Sequence, residues 1–189
     1  MIARLRAELA YRRYRRAQIR QSRAKRRKDA SFRLVPFVGL IRARCPELGP
    51  AATVLCIGAR NEVELDVFAR AGFGNVTAID LWSDSPRILV GDMHALRFPD
   101  RSFDLVFASH AFEHAWDFAA VAAECVRVLR PGGYVFCAVP TGFEVSEHDR
   151  YDFKDAAGLL AYFTRWPVTL VDEQRLRPGE LSVLLRLEP

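Results

Sequence analysis

The chain has no apolar run approaching the roughly 18–20 residues that a membrane span requires, which excludes a transmembrane helix. Cysteine is scarce and scattered: Cys45, Cys56, Cys125 and Cys137 form no Cys-x-x-Cys pair and show no metal-ligand spacing. Three of them lie inside apolar patterns, where a free thiol behaves as a small buried hydrophobe. No disulfide framework and no metal site are expected, and a reducing, cytoplasmic setting is. No secretory signal is expected either, because the N-terminal residues contain no apolar segment. Glycine and proline are absent from Met1 to Lys28, so nothing there interrupts a helix.

What is present divides into two electrostatic parts. Residues 1–33 hold 13 Lys and Arg against Glu8 and Asp29, whereas the remainder carries 15 bases and 21 acids. The first part is expected to be a basic helical arm, with Ile2, Leu5 and Leu9 forming an apolar stripe at helical spacing. Arg12, Arg13, Arg15 and Arg16 flank Tyr14, and residues 23–28 are almost unbroken positive charge. Such clusters attract phosphate, on nucleic acid or on anionic membrane headgroups. The alternatives are a solvated helix, one lying against the acidic body of the same chain, or an Arg-rich organellar transit peptide. A linker is expected over 34–50, where Pro36 and Pro50 fall.

From residue 51 to 189, short apolar runs alternate with helical patterns, which predicts a parallel sheet covered on both faces. Strands are expected at Thr53–Ile57, Val76–Asp80, Ile88–Val90, Phe103–Ser109 and Tyr134–Val139. Val168–Leu176 and Leu181–Leu187 are expected to form a closing hairpin across Pro178-Gly179. Asn61, three residues before Glu64, predicts a capping box on a helix reaching Ala71. Phe118, Val121, Cys125, Val128 and Leu129 mark one face of a longer helix, which Pro131-Gly132-Gly133 should end. Phe153–Phe163 reads as helical.

Ligands of such sheets bind outside the carboxyl ends of the strands. Asp80, 22 residues beyond Gly58, is spaced to accept the hydroxyls of a ribose. Asp92 follows the third strand, where a carboxylate can accept from an adenine amino group. Together they specify an adenosine; taken singly, each is equally a loop aspartate capping a turn. The three-glycine dinucleotide fingerprint is absent, since only Gly58 remains in Gly58-Ala59-Arg60-Asn61-Glu62. Glu62 and Glu64 would also repel a pyrophosphate at the helix N-terminus. S-adenosyl-L-methionine carries no phosphate and tolerates those acids. Arg60 is able to pair with a phosphate or with the methionine carboxylate.

The residues resemble the class I S-adenosylmethionine-dependent methyltransferases, especially the type 11 group. The likeness rests on Val-Leu-Cys-Ile-Gly at 54–58, Ala-Ile-Asp at 78–80, Gly-Asp-Met at 91–93 and Phe-Asp-Leu-Val at 103–106. Glu-His at 113–114 and Arg-Val-Leu-Arg-Pro-Gly-Gly at 127–133 complete it, all in family order. The resemblance implies a Rossmann-like, doubly wound α/β fold. Its seven-stranded sheet would be mostly parallel, with a C-terminal antiparallel hairpin, preceded here by the basic helix. It also implies a methyltransferase-like domain over 51–189 that uses S-adenosyl-L-methionine. Ile57, Gly58, Ala59 and Arg60 would then pass the methionine moiety, and Asp80 would bind the ribose. Leu81 would pack on the adenine, Asp92 and Met93 would hold it, and Ser109 would touch the methionine part. The chain departs from the pattern at Cys56, where the family has an acid, and at Arg60 and Glu62, where it has glycines.

Methyl transfer is an in-line displacement, so a base is needed only for a poorly ionised hydroxyl or a protonated amine. His148, in the loop after the fifth strand, and His110 are the candidate bases; His114 is expected to orient its loop. No Asn-Pro-Pro-Tyr tetrapeptide or Pro-Cys nucleophile is present. The expected activity is therefore O- or N-methylation of a small-molecule or glycan-linked acceptor. The alternatives are an RNA- or ribosome-directed methyltransferase using the arm, and a non-catalytic binding module of the same fold.

Overall fold

The computed structural model describes residues 2–189, with side chains from Arg4 onward; the side chain of Ile2 lies outside the described residues. Strand β1 (Thr53–Ile57) is central because both of its faces are apolar. Its alternation sends Leu55 and Ile57 into one core and Val54 and Cys56 into the other. Around it lie β2 (Asn75–Asp80), β3 (Ile88–Val90), β4 (Phe103–Ser109), β5 (Leu129–Pro140), β6 (Val168–Arg177) and β7 (Glu180–Leu187). The sheet order is β3-β2-β1-β4-β5-β7-β6. The first five strands pair in parallel, and β7 runs antiparallel to both neighbours. This is the expected Rossmann-like sheet with its closing hairpin.

One face is covered by α4 (Phe118–Val128) and α5 (Ala156–Leu160), through Phe118, Val121, Cys125 and Leu159. Asp117 caps α4 by accepting from the Ala120 N–H at 3.2 Å, and Asp155 caps α5 through Gly158 at 2.8 Å. The helix expected over 153–163 is thus reduced to α5 and a 3-10 turn at Ala161–Phe163. Pro131-Gly132-Gly133 does not end α4, which stops at Val128. The tripeptide instead kinks the start of β5, with Gly132 at φ 82°, where the register against β4 shifts between Phe103 and Leu105.

The other face is covered by α3 (Val63–Arg70) and α2 (Ser31–Arg44). Most of the expected linker is therefore helix. Leu34, Phe37, Val38 and Ile41 recur at helical spacing and are buried in the second core, and Pro36, the apparent breaker, sits inside the helix. Burying four such side chains contributes about 1.5–3 kcal/mol each, enough to outweigh the lost hydrogen bond. The expected capping box of α3 does not form, since the residue preceding the helix, Glu62, makes no side-chain cap hydrogen bond. Asn61 Oδ1 accepts from the Val63 N–H at 3.2 Å, but Glu64 turns inward and is buried.

Helix α1 (Ile2–Lys25) is the expected basic helix, and it lies across the carboxyl ends of the parallel strands. Tyr14 donates to His114 O at 2.6 Å and Gln18 to His148 O at 3.1 Å. Asn61 holds the following turn by donating to the carbonyls of Arg26 and Lys28. Of the alternatives for the arm, it is the helix lying against the acidic body that forms.

Candidate active site

The carboxyl ends of β1 to β4 open onto a cleft of about 570 Å³. β1 contributes Ile57 and Gly58, β2 leads to Asp80 and Leu81, and β3 leads to Gly91 and Met93. Gly58 has φ 80°, and a Cβ there would lie 2.6 Å from the Cβ of Ala111. Only glycine fits that turn, and the bare backbone leaves the cleft open beside it. Asp80 is 7% exposed and accepts from the Trp82 N–H at 3.0 Å. Burial raises its pKa, partly offset by that N–H and by the Ser22 hydroxyl.

A second cavity of about 1230 Å³ adjoins the first, and the two share Lys25, Gly58, Arg60, His110 and His114. It adds Glu64, Ser109, Glu113, Thr141 and Phe143. His110 lies in the left-handed region at φ 51°, a strained conformation for a side chain of this size. Its Nε2 is 2.8 Å from Oε2 of Glu180 on β7. Burial works against the Glu180 carboxylate, but the His110 hydrogen bond together with the charges of His110, Arg177 and Arg33 lowers its pKa overall. Glu113 is 2% exposed; its Oε1 lies 3.7 Å from His110 Nδ1 and 3.8 Å from His114 Nε2. Burial pushes both Glu64 and Glu113 up to about 8. Burial also lowers His114, whose Nδ1 is 2.8 Å from Asp149 Oδ1.

The roof of the first cleft is α1, through Tyr14, Gln18, Gln21, Ser22 and Lys25. These residues share one helix face. In sequence they stand out as the polar, non-arginine positions of an otherwise cationic helix, a periodicity that an apolar stripe does not reveal.

A family model described as a methyltransferase domain matches residues 55–137, the segment that contributes the strand ends of this cleft. A probable S-adenosylmethionine-dependent methyltransferase of Mycolicibacterium smegmatis is 33% identical over 103 residues, covering 53% of this chain and 37% of the relative. Residues 55–137 are thus similar in sequence to S-adenosylmethionine-dependent methyltransferases, over less than half of the chain. Malonyl-[acyl-carrier protein] O-methyltransferase 1 of Coxiella burnetii is 32% identical over 104 residues, covering 49% of this chain and 36% of that protein. The matches thus span little more than a third of either relative. In fold, the chain is similar to 1,6-didemethyltoxoflavin-N1-methyltransferase of Burkholderia thailandensis, solved with 1,6-didemethyltoxoflavin and S-adenosylhomocysteine. The TM-score is 0.74 at 19% identity, covering 95% of this chain and 89% of that one.

The candidate site gathers Ile57, Gly58, Arg60, Asp80, Leu81, Met93 and His110 around one cleft, and Ser109 around the adjoining cavity. Ala59 is fully buried behind the turn, its N–H bonded to Ile79 O at 3.1 Å. Two expected residues stand elsewhere. Asp92 does not line the cleft; Tyr11 donates to its Oδ2 at 2.6 Å, His94 Nδ1 lies 2.7 Å from Oδ1, and Arg15 lies 3.2 Å away. His148 lines neither cavity; its carbonyl holds α1 and the His114 ring. The departures from the family glycines are accommodated differently. Glu62 faces away and binds Ser85 and Arg87, whereas Arg60 faces both cavities.

Proposed function

We propose that this protein transfers a methyl group from S-adenosyl-L-methionine to a hydroxyl or amine of a small-molecule or glycan-linked acceptor. The observation that carries the reading is the position of Asp80. It is a buried carboxylate at the end of β2, facing the same cleft as the positive-φ Gly58 and Met93. The fit to an adenosyl sulfonium is favourable: Asp80 would hold the ribose, Leu81 and Met93 the adenine, and the Gly58 turn the methionine end. When bound, the cofactor supplies a methyl group already activated on sulfur.

The protein's own part is alignment, exclusion of water and handling of one proton. Alignment alone is worth up to ~7–11 kcal/mol in favourable cases. The acceptor would occupy the second cavity, and the shared wall at His110 is where the two ligands would meet. Glu180 takes His110 Nε2–H, leaving Nδ1 as the basic nitrogen to receive the acceptor's proton. His110 therefore replaces His148 as the preferred base.

Isothermal titration with S-adenosylhomocysteine tests the cofactor reading. Asp80→Ala should weaken binding at least ~10-fold, because a charged hydrogen bond is worth about 1.5–3 kcal/mol. Unchanged affinity would remove the basis of the reading.

A second reading, phosphate recognition by α1, is favoured by one observation. Arg6, Arg13, Arg16 and Arg20 line a groove beside Trp116 and make no ion pair among the described residues.

A further inference from the structure

Two carboxylate oxygens in the second cavity have no hydrogen-bond donor among the described residues: Oε2 of Glu64 and Oε2 of Glu113. Both residues are more than nine-tenths buried, at 8% and 2% exposure. A buried ionised carboxylate without a donor is costly, so each site calls for either a proton or a cation. Their settings differ. Glu113 has two imidazoles within 4 Å and stands on the acceptor side. Glu64 sits on the first turn of α3, a few residues after the Gly58 turn, where the Arg60 charge opposes the effect of burial on its carboxyl. Its charge also drives the buried thiol of Cys56 further up, beyond the effect of burial.

Arg60 forms no ion pair with Glu64 or with any other acid among the described residues. Among the described residues, the Lys25 ammonium hydrogen-bonds only to Gln21, at 3.2 Å. The second cavity therefore holds the donor-free carboxylate of Glu64, while Arg60 and Lys25, neither with an acidic partner among the described residues, line both cavities. That pattern is complementary to a zwitterion, an α-amino acid with its ammonium and carboxylate on one carbon.

We propose that Glu64 binds the α-ammonium of the cofactor's methionine end, with Arg60 and Lys25 receiving its carboxylate. The inference rests on the cofactor reading above and assigns a carboxylate to the helix, where β1 has only the thiol of Cys56. An ammonium held there meets a localised anion in a water-poor pocket, and the charged hydrogen bond is correspondingly strong.

Titration with two probes separates this role from a structural one. S-adenosylhomocysteine carries the amino-acid end, and 5′-methylthioadenosine lacks it. Glu64→Gln keeps the size of the side chain and removes its charge. It should weaken S-adenosylhomocysteine binding by roughly 10- to 100-fold while leaving 5′-methylthioadenosine affinity within about 2-fold. Retained binding of the smaller probe also reports a folded site. Equal loss for both probes, no loss for either, or the larger selective loss in Glu113→Gln would overturn the assignment. A wild-type protein that binds neither probe overturns the cofactor reading instead, and this one with it.

Discussion

The hydroxyl of Tyr11 lies 2.6 Å from Oδ2 of Asp92, joining the first helix to the loop after β3 across 81 positions of sequence. His94 and Arg15 complete the carboxylate's surroundings. Burial alone would raise the Asp92 pKa, but the His94 and Tyr11 hydrogen bonds outweigh it and hold the group at about 2. The residue expected to meet an adenine amino group thus spends one oxygen on α1 and the other on His94.

Tyr11→Phe should therefore have two opposite effects. Stability should fall by about 0.5–1.5 kcal/mol for the lost hydrogen bond. Affinity for S-adenosylhomocysteine should rise, because one oxygen of Asp92 is released toward the adenosine side. Paired thermal unfolding and titration check both; reduced affinity would mean that the Tyr11 hydroxyl shapes the cleft instead of competing for it.

Glu113 gives a pH dependence of defined sign. Its folded pKa, about 8, lies above the ordinary 4.5, so the folded state binds this proton more tightly than the unfolded one. Its contribution is then favourable at low pH and is lost as pH rises from about 5 to about 8. Glu113→Gln should gain stability relative to the wild type across that interval in denaturant titrations. A difference that stays constant with pH would contradict the burial assignment.

The Glu180–His110 pair predicts graded kinetic losses with any acceptor that supports turnover. His110→Asn keeps a residue that tolerates the left-handed backbone and should lower methyl transfer by roughly 10²- to 10⁴-fold. Glu180→Gln, which acts through His110, should lower kcat less and displace the acid limb of the kcat–pH profile. An unchanged profile in Glu180→Gln would assign Glu180 to structure alone.

The arginine groove on α1 is checked with a single-stranded RNA oligomer over a range of salt. Replacing Arg13, Arg16 and Arg20 by Gln should reduce the slope of log K against log salt by about 0.7 for each phosphate that is no longer neutralised. A slope unaffected by the triple replacement would show that this face does not engage phosphate.

Within the core sheet, local chemistry was sufficient to read the elements. β1 and β3 follow from uninterrupted apolar runs that end at polar loop residues, β4 from a run broken only by Asp104, and the C-terminal hairpin from its Pro178-Gly179 turn. The sheet order does not follow from any one run, but the sequential motifs at strand ends carried it. Where reading failed, a tertiary contact overrode a local signal. Pro36 reads as a breaker, yet Leu34, Phe37, Val38 and Ile41 gain enough by burial to keep α2 helical. Glu64 reads as a capping residue, yet it turns into a cavity.

By itself, the sequence determined the strands, the position of Gly58 and Asp80 at strand ends, and the charge division between the first helix and the body. These depend on periodicity, turn residues and composition, all local properties of the chain. Only the tertiary structure decided that α1 roofs the cleft, that Asp92 binds Tyr11, and that His110 meets Glu180 70 residues away. Those pairings join groups whose separation along the chain carries no period or spacing rule. Packing alone brings them within hydrogen-bonding reach, and burial then sets their charge.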